Sequence, residues 1–89
     1  MKRLHVFYSG RVHGVGFRYT AQDLAVKYAI MGWVKNTPDG RVELVAEGNE
    51  KNVNQFIASI ESTLSAYITN KTFYDEPPSG EEKSFRIVY

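Results

Sequence analysis

The order of its secondary-structure signals is the feature that most constrains the fold of this chain. Two segments carry apolar residues at helical spacing, and short segments with the β-branched and aromatic composition of strands lie before, between and after them. Along the chain the signals run β, α, β, β, α, β, with one extra strand at the end. Two split βαβ halves in this order form an α+β, ferredoxin-like sandwich, in which an antiparallel sheet carries both helices on one face.

The first half of the pattern begins with a strand, a glycine-bearing loop and a helix. Residues 4–8 are apolar or aromatic apart from His5, which we expect to be an ordinary strand residue, and a Ser-Gly turn signal follows. From about Arg18, apolar residues recur at helical spacing, which predicts an amphipathic helix that Gly32 can end. The apolar residues of this helix are Ala21, Leu24, Ala25 and Tyr28.

A hairpin joins the two halves. Residues 33–36 and 42–46 have strand composition and flank a Thr-Pro-Asp-Gly turn at residues 37–40. This arrangement places Asn36 at the mouth of the hairpin. Asn49 is then the expected N-cap of a second amphipathic helix. The apolar face of that helix consists of Val53, Phe56, Ile57, Ile60 and Leu64.

Two strands complete the pattern. Residues 67–74 are rich in β-branched and aromatic side chains, and the Pro-Pro-Ser-Gly segment at residues 77–80 breaks the chain. Beyond it, Phe85, Ile87 and Tyr89 alternate with polar or smaller residues. This alternation predicts the extra terminal strand.

The composition excludes several classes of function. Eleven Lys and Arg residues against ten Asp and Glu leave a formal net charge of +1 without a block of like charges, so the basic surface that attracts nucleic acid is missing. The absence of cysteine removes disulfides, thiolate metal sites and cysteine nucleophiles, and no apolar run suits a signal peptide or a membrane span. We expect one domain over residues 1–89, a cytoplasmic monomer with no nucleic-acid or membrane partner and no metal or organic cofactor.

The loop from residue 10 to residue 18 has the properties of an anion site. Its glycines let successive backbone N–H groups turn inward, and it delivers them to the positive end of a helix. Arg18 can add a planar fork of donors for the same oxygens. The loop fits neither the dinucleotide-binding nor the P-loop pattern, since Tyr19 occupies the third glycine position and no Gly-Lys-Ser/Thr follows. The residues therefore predict a phosphate cradle.

Together with the hairpin, this loop resembles the paired signatures of the acylphosphatase family. Residues 10–18, GRVHGVGFR, match G-x-V-x-G-V-x-F-R, and residues 32–48 match glycine, aromatic, Val, basic, Asn, then Gly-Arg-Val and a closing glycine. The resemblance continues through the Pro-Pro-Ser-Gly turn to the end of the chain. One departure is His13, where the family most often has Gln.

The resemblance implies hydrolysis of an acyl phosphate to a carboxylate and inorganic phosphate. It makes Arg18 the phosphate-binding arginine and Asn36 the residue that orients the attacking water. Because a carboxamide takes no proton near neutral pH, the resemblance also implies that the water's proton passes to the bound phosphate. The backbone cradle of the family corresponds here to Val12, His13, Gly14, Val15, Gly16 and Phe17.

Other interpretations of individual residues remain open at this point. His13 lies in the anion loop and could be a phosphorylated nucleophile. Glu43 and Glu47 share one face of a hairpin strand, which we interpret as a solvated sheet face and not an acid/base pair. Several aromatic residues could form an RNA-stacking platform, but the RNP pattern is absent and we expect them to pack in the core and sheet. These aromatics are Trp33, Phe73, Tyr74, Phe85 and Tyr89.

Two functions other than independent hydrolysis also fit a ferredoxin-like anion site. One is a regulator that binds a small anion. It needs the anion contacts but has no use for a water-orienting Asn36. The other is a module of a larger carbamoyl-transfer protein, which would need more chain with cysteine-rich zinc segments. Both are less favoured than the enzyme.

Overall fold

A computed structural model describes all 89 residues of the chain. The elements are β1 (Lys2–Gly10), α1 (Phe17–Tyr28), β2 (Met31–Asn36), β3 (Val42–Gly48), α2 (Glu50–Thr63), β4 (Ile68–Glu76) and β5 (Phe85–Ile87). Their order confirms the ferredoxin-like α+β fold with an extra C-terminal strand. Neither helix has the length and apolar character that a membrane span requires.

The strands form one sheet in the order β4-β1-β3-β2-β5. The four strands from β4 to β2 pair antiparallel, as expected, whereas β5 pairs parallel with β2 and makes the sheet mixed. Tyr8 of β1 and Asn36 of β2 both pair with Val42 of β3. The ends of β1 and β2 therefore flank the start of β3, which brings the loop after β1 beside the hairpin turn.

Both helices pack on the same face of the sheet and enclose one apolar core. The predicted helix faces are confirmed, since Ala21 and Ala25 of α1 are buried along with the apolar residues of α2. Val12, near the start of the loop between β1 and α1, and Phe17, the first residue of α1, also belong to this core, with exposed fractions of 1% and 2%. Buried side chains therefore hold the loop at both ends. The strand residues of the core are Leu4, Val6, Tyr8, Val34, Val42, Leu44 and Ala46.

The ends of the helices differ in how well they follow the sequence signals. The expected N-cap is confirmed, because the Asn49 side chain accepts a hydrogen bond from the Lys51 amide at 2.9 Å. The expectation that Gly32 ends α1 is wrong. Ala29 adopts the left-handed cap conformation, with φ 56°. Gly32 instead lies in β2, where a Cβ atom would approach the Val45 carbonyl oxygen to 1.9 Å, so glycine is required by the close approach of two strands.

The interpretation of Glu43 and Glu47 as a solvated sheet face is wrong. Glu47 is only 2% exposed. Its carboxylate accepts hydrogen bonds from the backbone amides of Ser79 and Gly80 at 3.0 and 2.8 Å. The segment after β4 therefore folds over this end of the sheet, a long-range contact that strand alternation does not reveal. Glu43 is also engaged, with a carboxylate oxygen 2.7 Å from a ring nitrogen of His5.

The aromatic residues divide between packed and exposed positions. Phe85 packs against Phe56 of the core, with ring centroids 5.6 Å apart, and Trp33 is half-buried on the outer sheet face beside His5. Phe73, Tyr74 and Tyr89 are more than half exposed, so none of them packs in the core, although the Tyr74 ring meets Phe7 edge-to-face on the sheet, with centroids 6.5 Å apart. The first two lie on β4, an edge strand with no further strand or helix beyond it.

Candidate active site

The loop between β1 and α1 leaves its backbone donors unused. Gly14 and Gly16 have φ of 72° and 77°, a left-handed conformation that glycine adopts without strain. None of the N–H groups from Val12 to Gly16 donates a hydrogen bond within the chain. Helix α1 also begins without a side-chain cap and without an acidic residue in its first turn. The amides and the positive end of the helix are therefore available to an anion.

A cavity of about 180 Å³ lies at this helix terminus. Arg18 reaches it from the first turn of α1, and Asn36 reaches it from the last residue of β2. The fold thus brings together the two side chains that the sequence singled out. The complete lining is Val12, Gly14, Gly16, Phe17, Arg18, Tyr19 and Asn36. A larger groove of about 490 Å³ between α1 and β5 is mostly apolar and contains no arginine.

Asn36 presents an unpaired acceptor at this cavity. Its Oδ1 atom is buried and has no hydrogen-bond partner in the chain. Because buried polar atoms in folded proteins nearly always have a partner, such an atom fits a bound water or a ligand donor. The residue itself is held in place, since it pairs with Val42 and the Thr37 amide closes the hairpin onto the Arg41 carbonyl oxygen at 2.8 Å.

The hairpin turn that carries Asn36 is braced by its own side chains. The Asp39 carboxylate accepts hydrogen bonds from the Thr37 hydroxyl and from Arg41 Nε, the latter at 2.9 Å. The Thr37 hydroxyl, with help from Arg41, lowers the pKa of Asp39. The Arg41 guanidinium also lies over the ring of Phe7 at 4.6 Å. These contacts fix the turn against β1.

Arg18 has an aromatic neighbour and no carboxylate partner. Its guanidinium carbon lies 5.2 Å from the ring centroid of Tyr89, a cation–π arrangement in which the in-plane N–H donors stay free. The nearby Tyr19 hydroxyl raises the pKa of Tyr89. Sequence reasoning missed both tyrosines. The position of Tyr19 directly after Arg18 was an available signal, whereas Tyr89 arrives only through the pairing of β5 with β2.

Two of the predicted loop residues do not line the cavity with their side chains. Val15 packs against the apolar core. The exposed His13 ring turns away, and its Nε2 atom lies 2.8 Å from the carbonyl oxygen of Arg41. Any part that these two residues take in binding an anion therefore falls to their backbone amides.

Comparison with known proteins decides the family. The family model described as acylphosphatase matches residues 4–87. The chain belongs to the acylphosphatase family. An acylphosphatase of Geobacillus thermodenitrificans is 46% identical over 90 residues, which cover all of this chain and 96% of that protein. The acylphosphatase relationship confirms the expected family and the expected class of enzyme, a hydrolase of acyl phosphates.

Solved structures agree with the family assignment. The crystal structure of the acylphosphatase from Bacillus subtilis matches with a TM-score of 0.91 and 35% identity, and the match covers all of both chains. Full-length HypF matches with a TM-score of 0.84 and 29% identity, over 99% of this chain and 12% of that one. The acylphosphatase fold thus occurs both as a short chain and within a much longer protein.

Proposed function

We propose that the loop amides and Arg18 bind the phosphoryl group of an acyl phosphate, and that Asn36 orients the water that attacks it. The products are a carboxylate and inorganic phosphate. One observation carries this proposal. Unpaired backbone donors, an arginine without an anionic partner and an unpaired amide oxygen meet at one small cavity.

The phosphate contacts account for most of the expected rate enhancement. Phosphoryl transfer needs positioning and stabilisation of charge on the equatorial oxygens more than it needs covalent chemistry. The amides of residues 12–17 and the guanidinium of Arg18 supply preorganised donors for that charge. A carboxylate is a good leaving group, so the reaction needs little acid catalysis. The same amides and the same guanidinium bind the phosphoryl group of the substrate and the inorganic phosphate product.

The contact between Asn36 and the attacking water sets the line of attack on phosphorus. The Asn36 carboxamide cannot act as a base near neutral pH, but its oxygen can accept a hydrogen bond from water and fix the line of attack. The proton of that water then passes to a phosphate oxygen of the substrate. The proposal therefore assigns no protein side chain as general base.

The remaining features of the proposal concern the protein as a whole. We expect residues 1–89 to act as one domain and as a monomer, because every proposed site residue comes from this one chain. A cytoplasmic location belongs to the same proposal. The partners are the small-molecule acyl phosphate and inorganic phosphate, with no cofactor, nucleic acid or membrane.

The proposal is tested by hydrolysis of benzoyl phosphate in the presence of EDTA. Arg18→Ala is compared with Arg86→Ala, which removes an exposed arginine from β5 outside the site. We expect wild-type and Arg86→Ala proteins to turn over equally. Loss of one arginine at a transferring phosphoryl group costs roughly 10³-fold or more, so Arg18→Ala should lose activity while keeping its circular dichroism spectrum.

Near-normal turnover by folded Arg18→Ala protein would refute the assigned role of the arginine. If the wild type bound inorganic phosphate but hydrolysed no acyl phosphate, the result would favour the other function that the sequence allows, a regulator that binds a small anion.

A further inference from the structure

His13 makes a contact that its place in the anion loop did not suggest. The ring is exposed, and its Nε2 atom lies 2.8 Å from the Arg41 carbonyl oxygen. A carbonyl oxygen can only accept a hydrogen bond, so Nε2 must carry the hydrogen and donate it. This fixes which ring nitrogen is protonated when the imidazole is neutral. The Nδ1 atom has no partner in the chain.

The acceptor belongs to the turn that carries Asn36. The same Arg41 oxygen accepts a hydrogen bond from the Thr37 amide at 2.8 Å. Thr37 directly follows Asn36. The ring of His13 is therefore bonded to the point at which the hairpin closes.

This bond is the only hydrogen bond that joins the anion loop to the hairpin turn. At the start of the loop, the Arg11 amide donates a hydrogen bond to the carbonyl oxygen of Tyr67, which is not a residue of the hairpin turn. Arg18 and Asn36 lie on different elements and make no hydrogen bond to each other. Sheet pairing and the core hold these two elements, and the His13 bond adds a direct link between the loop and the turn beside them.

We propose that His13 is a positioning residue for the hydrolysis, which sets the Asn36 carboxamide relative to the phosphate held by the loop. This inference rests on the proposed function and adds a residue to it. In-line attack on phosphorus needs water and phosphate in a fixed relation, and small misplacements of a reacting group lower the rate strongly. The His13 side chain acts through the backbone of Arg41 and does not touch the phosphate.

The competing roles for this ring are direct phosphate binding and nucleophilic attack. Both roles would require the His13 side chain to line the cavity, and it does not. Replacement by Gln separates positioning from nucleophilic attack, and the affinity for phosphate separates positioning from direct binding. The carboxamide of Gln can donate an N–H to the Arg41 oxygen, but it cannot attack phosphorus and carries no positive charge.

The test measures kcat and KM for benzoyl phosphate, and the competitive inhibition constant of inorganic phosphate, in four proteins. These are the wild type, His13→Ala, His13→Gln and the matched control Asn49→Ala. The control also removes one exposed side-chain hydrogen bond, but at the opposite end of the sheet. Circular dichroism establishes that each variant is folded.

We expect His13→Ala to lower kcat roughly two- to tenfold, the usual range for one net hydrogen bond. The inhibition constant of phosphate should change by less than about twofold, because the cradle is intact. His13→Gln should restore kcat to within about twofold of the wild type. Asn49→Ala should lower thermal stability without changing kcat.

Three results would overturn the inference. They are an unchanged kcat in His13→Ala, a phosphate inhibition constant that rises in step with the loss of activity, and a His13→Gln variant as impaired as His13→Ala. Failure of the proposed function would show instead in the wild type, as absent turnover, and would remove this inference with it.

Discussion

Two polar regions of this molecule lie on opposite sides of the sheet. The charged groups of one are paired with each other, whereas the arginine of the other has no charged partner. On the outer face, Arg3 contacts the carboxylates of Glu47, Glu76 and Glu82 at 3.0, 3.0 and 3.2 Å. In the cavity at the start of α1, Arg18 has no carboxylate within ion-pair distance. The outer face contains more charged groups than the cavity, but they are bound to one another.

The difference distinguishes a stabilising cluster from a binding site. Charged groups that satisfy each other gain little from a ligand, whereas unpaired donors and acceptors at a cavity are stabilised when a ligand pairs with them. The His5 ring follows the first pattern, with its nitrogens 2.7 Å from Glu43 and 2.8 Å from Glu76. The amide oxygen of Asn36 follows the second. Free polar groups, and not the density of charge, mark the site.

The largest expected contrast is between two arginines. Arg3→Ala removes three charge-assisted contacts and leaves Glu47 with only the uncharged donors of Ser79 and Gly80. Removing one partner of a buried ion pair is strongly destabilising, and we expect a loss of roughly 2 to 4 kcal/mol in the free energy of unfolding. Arg18→Ala removes no ion pair and should change that free energy by less than about 1 kcal/mol. Urea unfolding at pH 7 measures both.

The order of the two variants should be reversed for catalytic activity, with Arg18→Ala the more impaired. The folded fraction of Arg3→Ala should hydrolyse benzoyl phosphate at about the wild-type kcat, because none of its contacts reaches the cavity. If Arg3→Ala were as stable as the wild type, or if Arg18→Ala were the less stable of the two, the division into a stabilising face and a binding site would be wrong.

A smaller effect is expected from Glu47 and depends on pH. Burial alone raises the pKa of Glu47, but the amides of Ser79 and Gly80 and the guanidinium of Arg3 outweigh it and lower the pKa to about 2. The stabilisation is therefore fully present above the ordinary pKa of 4.5 and is lost as the pH falls from there toward about 2. Glu47→Gln should cost roughly 1 to 3 kcal/mol at pH 7.

The gap in unfolding free energy between wild type and Glu47→Gln should stay constant from pH 7 to about pH 5 and narrow below that. Urea unfolding at pH 7, 5 and 3 gives the gap directly. A gap of the same size at pH 3 as at pH 7 would show that the carboxylate charge of Glu47 does not stabilise the fold.

Local patterns in the sequence were sufficient to predict the elements and an anion-binding loop, and the resemblance to the acylphosphatase family then singled out Arg18 and Asn36. Helical periodicity and strand composition are properties of neighbouring residues, and so are the glycines that open the loop before Arg18. The hairpin turn likewise placed Asn36 at its mouth. Register and sheet order then bring these segments together, because the fold type fixes which strand ends are adjacent.

The features that sequence reasoning missed depend on contacts between distant parts of the chain. Glu47 is buried because the segment at residues 79–82 folds over it, and Tyr89 reaches Arg18 because β5 joins the sheet parallel to β2. The direction of the His13 ring is set by a carbonyl oxygen 28 positions along the chain. None of these contacts leaves a periodic trace in the sequence.

The most direct test of the account uses Asn36→Ala. If Asn36 orients water and takes no part in holding phosphate, kcat for benzoyl phosphate should fall by roughly 10²-fold. The competitive inhibition constant of inorganic phosphate should then stay within about twofold of the wild-type value. Full activity, or a loss of phosphate affinity equal to the loss of activity, would contradict the division of labour between the loop with Arg18 and the hairpin with Asn36.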